Sequence, residues 1–193
     1  ADPERAARLR LLASNGMAAT AFDRYSRSAQ AAPPEVVAPG HKYALGNASA
    51  AIGVAQFKKF ERFMAARRRI ANMYNTVLAN VDEVETPAVR AYADPSWHLY
   101  MVRLRLDRLT ANRDEIAYLM RRENIGTGVH FLALHTHQYY RETLGCTPAD
   151  APIAAEQTRR ILSLPLHPGL TDKEVHEVVS ALKKVLHHTL RHT

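Results

Sequence analysis

Apolar residues recur at three- and four-residue steps along one extended stretch of the chain. The spacing runs from Asn47 to about Val81 without a proline and predicts one continuous helix with Asn47 as its N-cap. At about 1.5 Å per residue, this helix would reach roughly 50 Å, which is more than the width of a small domain. Its first half is small and apolar, so we expect that half to be buried and the helix to bridge two domains or two subunits.

The periodicity after this helix changes to that of strands. Alternating apolar positions predict a strand over residues 97–106, and a shorter strand is expected within residues 81–89. A glycine-rich turn precedes another predicted strand at residues 126–131. The apolar run 162–166 contains a proline, which confines that strand to a sheet edge.

Capping residues mark further helices between the predicted strands. Asp2 begins an N-terminal helix, and the boxes Asn112–Glu115 and Thr171–Glu174 begin two later ones. Residues 153–161 are also expected to be helical, whereas residues 17–46 lack periodicity and predict an irregular loop. The alternation of strand and helix predicts an α/β or α+β layer.

Charge adds an anionic partner to this picture. The chain has 26 basic and 19 acidic side chains, a formal net charge of +7, so nucleic acid, a membrane surface or a phosphorylated substrate must be considered. The basic residues are spread along helices, which weakens the case for nucleic acid, and we interpret Arg67, Arg68 and Arg69 as a solvated helix face. No apolar run approaches the ~20 residues of a membrane span, and no signal peptide is visible, so a cytoplasmic protein is expected.

Candidate chemistry is concentrated in two loops. Histidines gather at His130, His135 and His137 with no nearby carboxylate or thiolate to complete a zinc site, so we expect no metal. The loop either donates to phosphate or hydroxyl groups of a substrate or carries ordinary surface histidines. The polar segment 39–43 precedes a helix, where it could bind an anion or serve only as a connection. The single Cys146 excludes an intrachain disulfide.

A family resemblance is more specific than these residues taken one by one. The chain resembles the DegT-type sugar aminotransferases, which are pyridoxal-phosphate enzymes of aspartate-aminotransferase fold. The matching segments follow in the same order along nearly the whole chain, at residues 39–43, 50–56, 67–74, 96–100, 125–140 and 162–171.

The resemblance implies a fold and a division of the chain. It implies the C-terminal portion of a fold-type I pyridoxal-phosphate-dependent transferase, an α/β fold with an α+β small domain and a long interdomain helix. The end of the large domain would occupy residues 1–50, the bridging helix 47–81 and the small domain 82–193. The Schiff-base lysine of the family would precede Ala1, so we expect no catalytic residue in this chain.

The resemblance also implies partners and site residues. The family pattern places the 39–47 loop against the cofactor phosphate of a partner subunit, with Lys42, Tyr43 and Asn47 as the contacts. A homodimer with shared active sites is therefore expected, with no nucleic acid and no membrane insertion. The substrates would be glutamate, or 2-oxoglutarate in the reverse direction, and a keto-sugar nucleotide. The expected substrate-binding residues are His130, Phe131, His135 and Tyr139.

Within the family, two segments suggest a substrate. Residues 21–25 and 128–136 most resemble the branch that makes UDP-4-amino-4-deoxy-L-arabinose for lipid A modification. Ala44 and Asn15 depart from the pattern of that branch. A UDP-4-keto-pentose, or another sugar of surface polysaccharides, is therefore the expected acceptor. The alternatives are a catalytically inactive family member and a basic binding module.

Overall fold

The computed structural model describes residues 2–17 and 35–191 and divides the chain into two compact units, Ala1–Lys58 and Lys59–Thr193. The predicted loop 17–46 lies mostly outside the described residues. The segment 21–25, on which the substrate prediction depends in part, also lies outside them. The boundary between the two units lies between Lys58 and Lys59, inside the predicted long helix. It does not test the predicted domain limits, which stay predictions.

The first unit begins with the predicted N-terminal helix. Helix α1 spans Pro3–Ala13, and the Asp2 carboxylate caps it by accepting from the backbone N–H of Glu4 at 3.0 Å and Arg5 at 3.2 Å. Asn15 and Gly16 follow with φ of 60° and 70°, which turns the chain away from the helix axis. The expected start of this helix at Asp2 is confirmed.

The predicted continuous helix from Asn47 to Val81 is wrong. Two helices occupy the stretch, α2 at Asn47–Phe57 and α3 at Phe60–Leu78, and Lys58 and Lys59 form a turn between them. Both lysines keep right-handed helical angles, so only the ladder of hydrogen bonds is interrupted. Gly46 is the N-cap of α2, and Asn47 is its first helical residue rather than its cap.

The expected burial of the apolar first half is also wrong. Ile52 is 64% exposed and Val54 is 60% exposed, and α2 contains no buried residue. Small and apolar side chains surround the helix on all sides, so no single face is selected for packing inside the first unit. The apolar half is therefore exposed in the single chain, and the bridging of two domains or two subunits stays a prediction.

A three-stranded antiparallel sheet organises the second unit. Its strands are β1 at Val84–Glu85, β2 at Tyr100–Leu104 and β3 at Ile161–Leu164, in the order β1-β2-β3. Tyr100 pairs with Leu164, and Val84 pairs with Leu104. The edge position predicted for β3 is confirmed, and the strand ends just before Pro165.

The second unit also contains α-helices. They are α3, then α4 at Arg113–Arg122, α5 at Gln138–Leu144, α6 at Pro152–Arg160 and α7 at Asp172–His188. Both predicted capping boxes are present, with Asn112 starting α4 and Thr171 starting α7. The core joins the inward residues of β2 to those of α3, α4 and α7, including Tyr74, Leu78, Tyr100, Val102, Leu104, Ile116, Met120, Val175, Leu182 and Leu186.

Two tyrosines cross the centre of this core. The Tyr74 hydroxyl donates to the Pro165 carbonyl at 2.8 Å, and the Tyr100 hydroxyl donates to Asn75 Oδ1 at 2.6 Å. Their ring centroids are 4.8 Å apart. Burial raises the pKa of both phenols well above its ordinary value. These hydroxyls therefore remain protonated and join α3 to the sheet and to the loop after β3.

The arginines interpreted as a solvated helix face have structural partners instead. Arg67 Nη1 donates to the carbonyls of Trp97 and His98 at 3.0 and 3.1 Å, and Arg68 pairs with Asp94 at 2.6 Å. Arg69 donates to the Leu170 carbonyl at 3.0 Å and pairs with Asp172. Consecutive arginines of α3 thus hold the loops before β2 and before α7.

The strand predicted at residues 126–131 is reduced to one isolated bridge. Gly128 N–H donates to the Ser163 carbonyl at 3.1 Å, and Ser163 N–H donates to the Gly128 carbonyl at 2.8 Å. Residues 129–133 then leave the sheet as irregular backbone. This bridge positions the histidine loop beside β3.

Candidate functional site

Two glycines anchor the predicted cofactor segment. A Cβ on Gly16 would lie 1.8 Å from the Ala38 carbonyl oxygen, and a Cβ on Gly40 would lie 2.0 Å from Gly16 N. The backbones of the two stretches therefore touch directly, which only glycine permits. His41 N–H donates to the Leu12 carbonyl at 2.7 Å, so the segment is tied to the end of α1.

The three predicted cofactor residues follow this anchor. Tyr43 N–H donates to the Ala13 carbonyl at 3.0 Å, and the Tyr43 ring stacks on His41 with centroids 4.7 Å apart. The side chains of Lys42, Tyr43 and Asn47 are exposed, and no ion pair within the described part of the chain involves Lys42. No side chain caps the N-terminus of α2, whose first N–H groups are therefore available to an anion.

This donor set suits a phosphate group. An ammonium, a phenol and an amide can all donate hydrogen bonds, and the helix N-terminus adds partial positive charge. The chemistry of these residues therefore fits the phosphate of pyridoxal phosphate.

His130 is held at its Nδ1 atom. Nδ1 lies 2.9 Å from Ser163 Oγ, and Ser163 is only 4% exposed. The Phe131 ring meets the His130 ring edge-on at 5.0 Å and is itself 72% exposed. The structure thus brings two of the predicted substrate residues together, with one fixed by a buried hydroxyl and the other open to solvent.

A second hydroxyl fixes the residues after Phe131. Thr158 Oγ1 donates to the Phe131 carbonyl at 3.0 Å and accepts from Ala133 N–H at 2.9 Å. Thr136 Oγ1 closes the turn by donating to the Ala133 carbonyl at 2.6 Å. Residues 128–136, called the histidine loop below, are therefore attached to both β3 and α6.

His135 differs from His130 in its surroundings. Its Nε2 is buried and has no hydrogen-bond partner among the residues that the structure describes. His135 also influences the pKa of the Asp150 carboxyl group. The pKa of Asp150 is lowered mainly by hydrogen bonds from the Thr147 backbone and hydroxyl, with a smaller contribution from His135. An unpartnered buried nitrogen costs about 1–3 kcal/mol, so a ligand or water that reaches Nε2 would stabilise the loop.

Apolar side chains surround the histidines on the surface. Tyr139 is 63% exposed and meets Tyr140 edge-on at 5.5 Å. Other exposed apolar residues of this region are Leu132, Leu134 and Leu144. A groove of about 510 Å³ is lined by Thr136 and Thr158, whereas a groove of about 720 Å³ along α7 contains none of the predicted site residues.

Residues 2–17 and 35–191 contain neither a candidate metal cluster nor a candidate membrane span. No group of three or more His, Cys, Asp or Glu side chains there could hold a metal ion. No helix there is long and apolar enough to cross a membrane.

Sequence reasoning missed the residues that hold the histidine loop. Thr158 bonds the loop across 25 and 27 positions, and Ser163 bonds His130 across 33 positions and Gly128 across 35. Local periodicity carries no signal for such contacts.

The chain is similar to known proteins along nearly its whole length. The model of the DegT/DnrJ/EryC1/StrS aminotransferase family matches residues 1–183. The uncharacterized protein MJ1066 of Methanocaldococcus jannaschii is 37% identical over 185 residues, which are 96% of this chain and 48% of that protein. The spore coat polysaccharide biosynthesis protein SpsC of Bacillus subtilis is 34% identical over 186 residues, with the same coverage.

A solved relative supports the fold. The aminotransferase TlmJ of Streptoalloteichus hindustanus is 30% identical with a TM-score of 0.68, over 97% of this chain and 46% of that one. The chain thus spans about half the length of the relatives it matches.

The chain belongs to the DegT/DnrJ/EryC1/StrS aminotransferase family. Its mixed helices and strands correspond to part of a fold-type I aminotransferase. Enzymes of this family use pyridoxal phosphate, and solved relatives contain it or its amino form.

Proposed function

We propose that the whole protein is a pyridoxal-phosphate-dependent aminotransferase that moves an amino group from glutamate to a keto-sugar nucleotide. The match of the family to residues 1–183 carries this proposal. The cofactor supplies the electron withdrawal that amino-group transfer requires. The net charge of +7 favours a substrate that carries a diphosphate.

The cofactor residues act at the phosphate in this proposal. Lys42, Tyr43 and Asn47 would donate hydrogen bonds to the phosphate in the site of a partner subunit, so the protein would be a homodimer with shared sites. Exposure of all three side chains beside an uncapped helix N-terminus supports this role.

The substrate residues act at the sugar nucleotide. His130 and Tyr139 would donate hydrogen bonds to diphosphate or hydroxyl oxygens, and Phe131 would cover an apolar face of the substrate. His135 would use its buried Nε2 once a ligand or bridging water approaches. The attachment of the histidine loop to β3 and α6 supports a fixed binding surface.

The product would serve cell-surface polysaccharides or lipid A, in the cytoplasm, where sugar nucleotides are made. The name of the relative SpsC supports the polysaccharide role, and the resemblance at residues 128–136 makes a UDP-4-keto-pentose the first substrate to test.

An amino-transfer assay tests the proposal. Purified whole protein, loaded with pyridoxal phosphate, is incubated with glutamate and a UDP-4-keto-pentose, and 2-oxoglutarate formation is measured. We expect formation beyond one equivalent per bound cofactor to require both substrates. If glutamate yields no 2-oxoglutarate with UDP- or dTDP-linked keto sugars, the proposed activity is wrong.

The basic binding module receives no support from the fold. The consecutive arginines of α3 are bound to loops of their own unit instead of forming a free basic surface. A catalytically inactive member of the family is separated from an active enzyme by the same assay.

A further inference from the structure

We propose that Ser163 and Gly128 are positioning residues that fix the imidazole of His130 in one orientation and one tautomer, with the Nε2 proton offered to an oxygen of the sugar nucleotide. The identity of this ligand rests on the proposed function, whereas the orientation and tautomer of the ring are argued from the geometry alone.

The Ser163 side fixes the direction of the ring. Ser163 lies in β3, where Tyr100, Met101 and Val102 of β2 pair with residues 162–164. Its backbone also exchanges hydrogen bonds of 3.1 and 2.8 Å with Gly128. The hydroxyl is therefore carried by a backbone bonded on both sides, and its 2.9 Å contact holds Nδ1 of His130 at a defined point.

Gly128 provides the space in which the ring lies. A Cβ on Gly128 would stand 2.6 Å from Cε1 of His130 and 3.2 Å from Nδ1. The imidazole thus occupies the place that a side chain at position 128 would take. The φ of Gly128 is not positive, so the requirement for glycine comes from the ring and not from the backbone.

The buried hydroxyl selects the tautomer. In the described part of the chain, His130 Nδ1 is the hydrogen-bond partner of Ser163 Oγ. A buried O–H group needs an acceptor, and Nδ1 can accept only when the ring proton is on Nε2. Nε2 has no partner among the described residues and, unlike that of His135, is not a buried atom. It is therefore available as a donor.

Nitrogen NMR tests the tautomer of His130 directly. Whole protein labelled with ¹⁵N-histidine is observed under mildly alkaline conditions, where an ordinary imidazole is neutral. We expect a pyridine-type Nδ1 and a pyrrole-type Nε2 signal for His130. Ser163→Ala should convert these signals to those of a tautomer mixture. A proton on Nδ1 in the unmodified protein, or an unchanged Ser163→Ala spectrum, would overturn the proposal.

Two further variants separate positioning from general loosening. Gly128→Ala should displace the ring and produce the same mixture, and it provides the test if Ser163→Ala fails to fold. Thr158→Ala removes a hydroxyl that holds the same loop but does not contact His130, so it should leave the His130 signals unchanged. If Thr158→Ala changes the tautomer as much as Ser163→Ala does, Ser163 and Gly128 do not fix the ring specifically.

Ligand and kinetic measurements test the direction of Nε2. Titration with UDP-glucose or dTDP-glucose should shift the Nε2–H signal of His130. Ser163→Ala should raise KM for the keto-sugar nucleotide roughly threefold to tenfold, since one hydrogen bond is misdirected, with the reaction of glutamate unchanged. If neither probe shifts the signal, or glutamate is equally affected, Nε2 does not serve the sugar nucleotide.

The two proposals fail differently. If the protein transfers no amino group, the proposed function is wrong, and the NMR spectra alone test whether Ser163 and Gly128 fix the imidazole of His130. If amino transfer proceeds but the tautomer is not selected, only the role of Ser163 and Gly128 is wrong.

Discussion

At the scale of single residues, Lys42 offers the clearest test of cofactor binding. Lys42→Ala should weaken retention of pyridoxal phosphate in the whole protein about tenfold to a hundredfold, since a charge-assisted hydrogen bond contributes roughly 1.5–3 kcal/mol. Dialysis followed by absorbance of the bound cofactor measures the loss. Lys183→Ala, which removes an exposed lysine from α7, is the matched control. Equal losses in both variants would remove Lys42 from the phosphate site.

His130 should give the opposite phenotype. His130→Ala removes the donor proposed for the sugar nucleotide, so cofactor retention should stay nearly intact while KM rises or kcat falls for the sugar. His176→Ala, an exposed histidine on α7, should change neither quantity. Loss of cofactor from His130→Ala equal to that from Lys42→Ala would show that both loops are merely structural.

At the scale of elements, the start of α7 links stability to pH. Glu174 Oε2 accepts from the backbone N–H and the hydroxyl of Thr171, both at 2.7 Å. These bonds, the backbone one first, hold the pKa of Glu174 below its ordinary value. The folded carboxylate therefore stabilises the protein above the ordinary glutamate range, and this contribution is lost as the pH falls through the lowered pKa.

Glu174→Gln should accordingly be less stable than the unmodified protein at neutral pH, and the two should converge in acid. Urea unfolding across the acid range measures the difference. Glu177→Gln, one turn later on α7 and outside the capping box, should show a smaller pH dependence. A constant difference at all pH values would contradict the role of the carboxylate charge.

The sequence predicts elements well where the signal is local. The capping boxes at Asn112 and Thr171 and the alternation along β2 depend on neighbours within a few residues, and all are confirmed. No local sequence signal predicts the interruption at Lys58 and Lys59, because both residues keep helical backbone angles. The partners of Arg67 and Ser163 lie about thirty positions away, beyond any periodic pattern.

At the scale of the whole molecule, α2 predicts an assembly. An apolar helix of 11 residues is only marginally stable by itself in water, yet Ile52 and Val54 are exposed. The adjoining 39–47 segment is proposed to reach a partner subunit. We therefore expect a second copy of the protein to cover α2.

Substitution of Ile52 tests this assembly. Ile52→Asp should raise the dimer dissociation constant by about a hundredfold or more, since a carboxylate would be buried without a partner. Sedimentation velocity measures this dissociation constant. Ile153→Asp, at an exposed isoleucine of α6, is the matched control and should assemble normally. A dimer that tolerates both changes would place the interface elsewhere.

The contact between Gly16 and Gly40 limits how this protein can diversify. Gly46 and Gly53 have open space within the chain where a Cβ would stand, so only the proposed partner subunit would limit their replacement. At positions 16 and 40 every substitution collides with backbone, and no change at one can compensate for a change at the other, because neither has a side chain to give up. Directed evolution toward a different anion should therefore leave this pair intact and vary only the residues that follow Gly40.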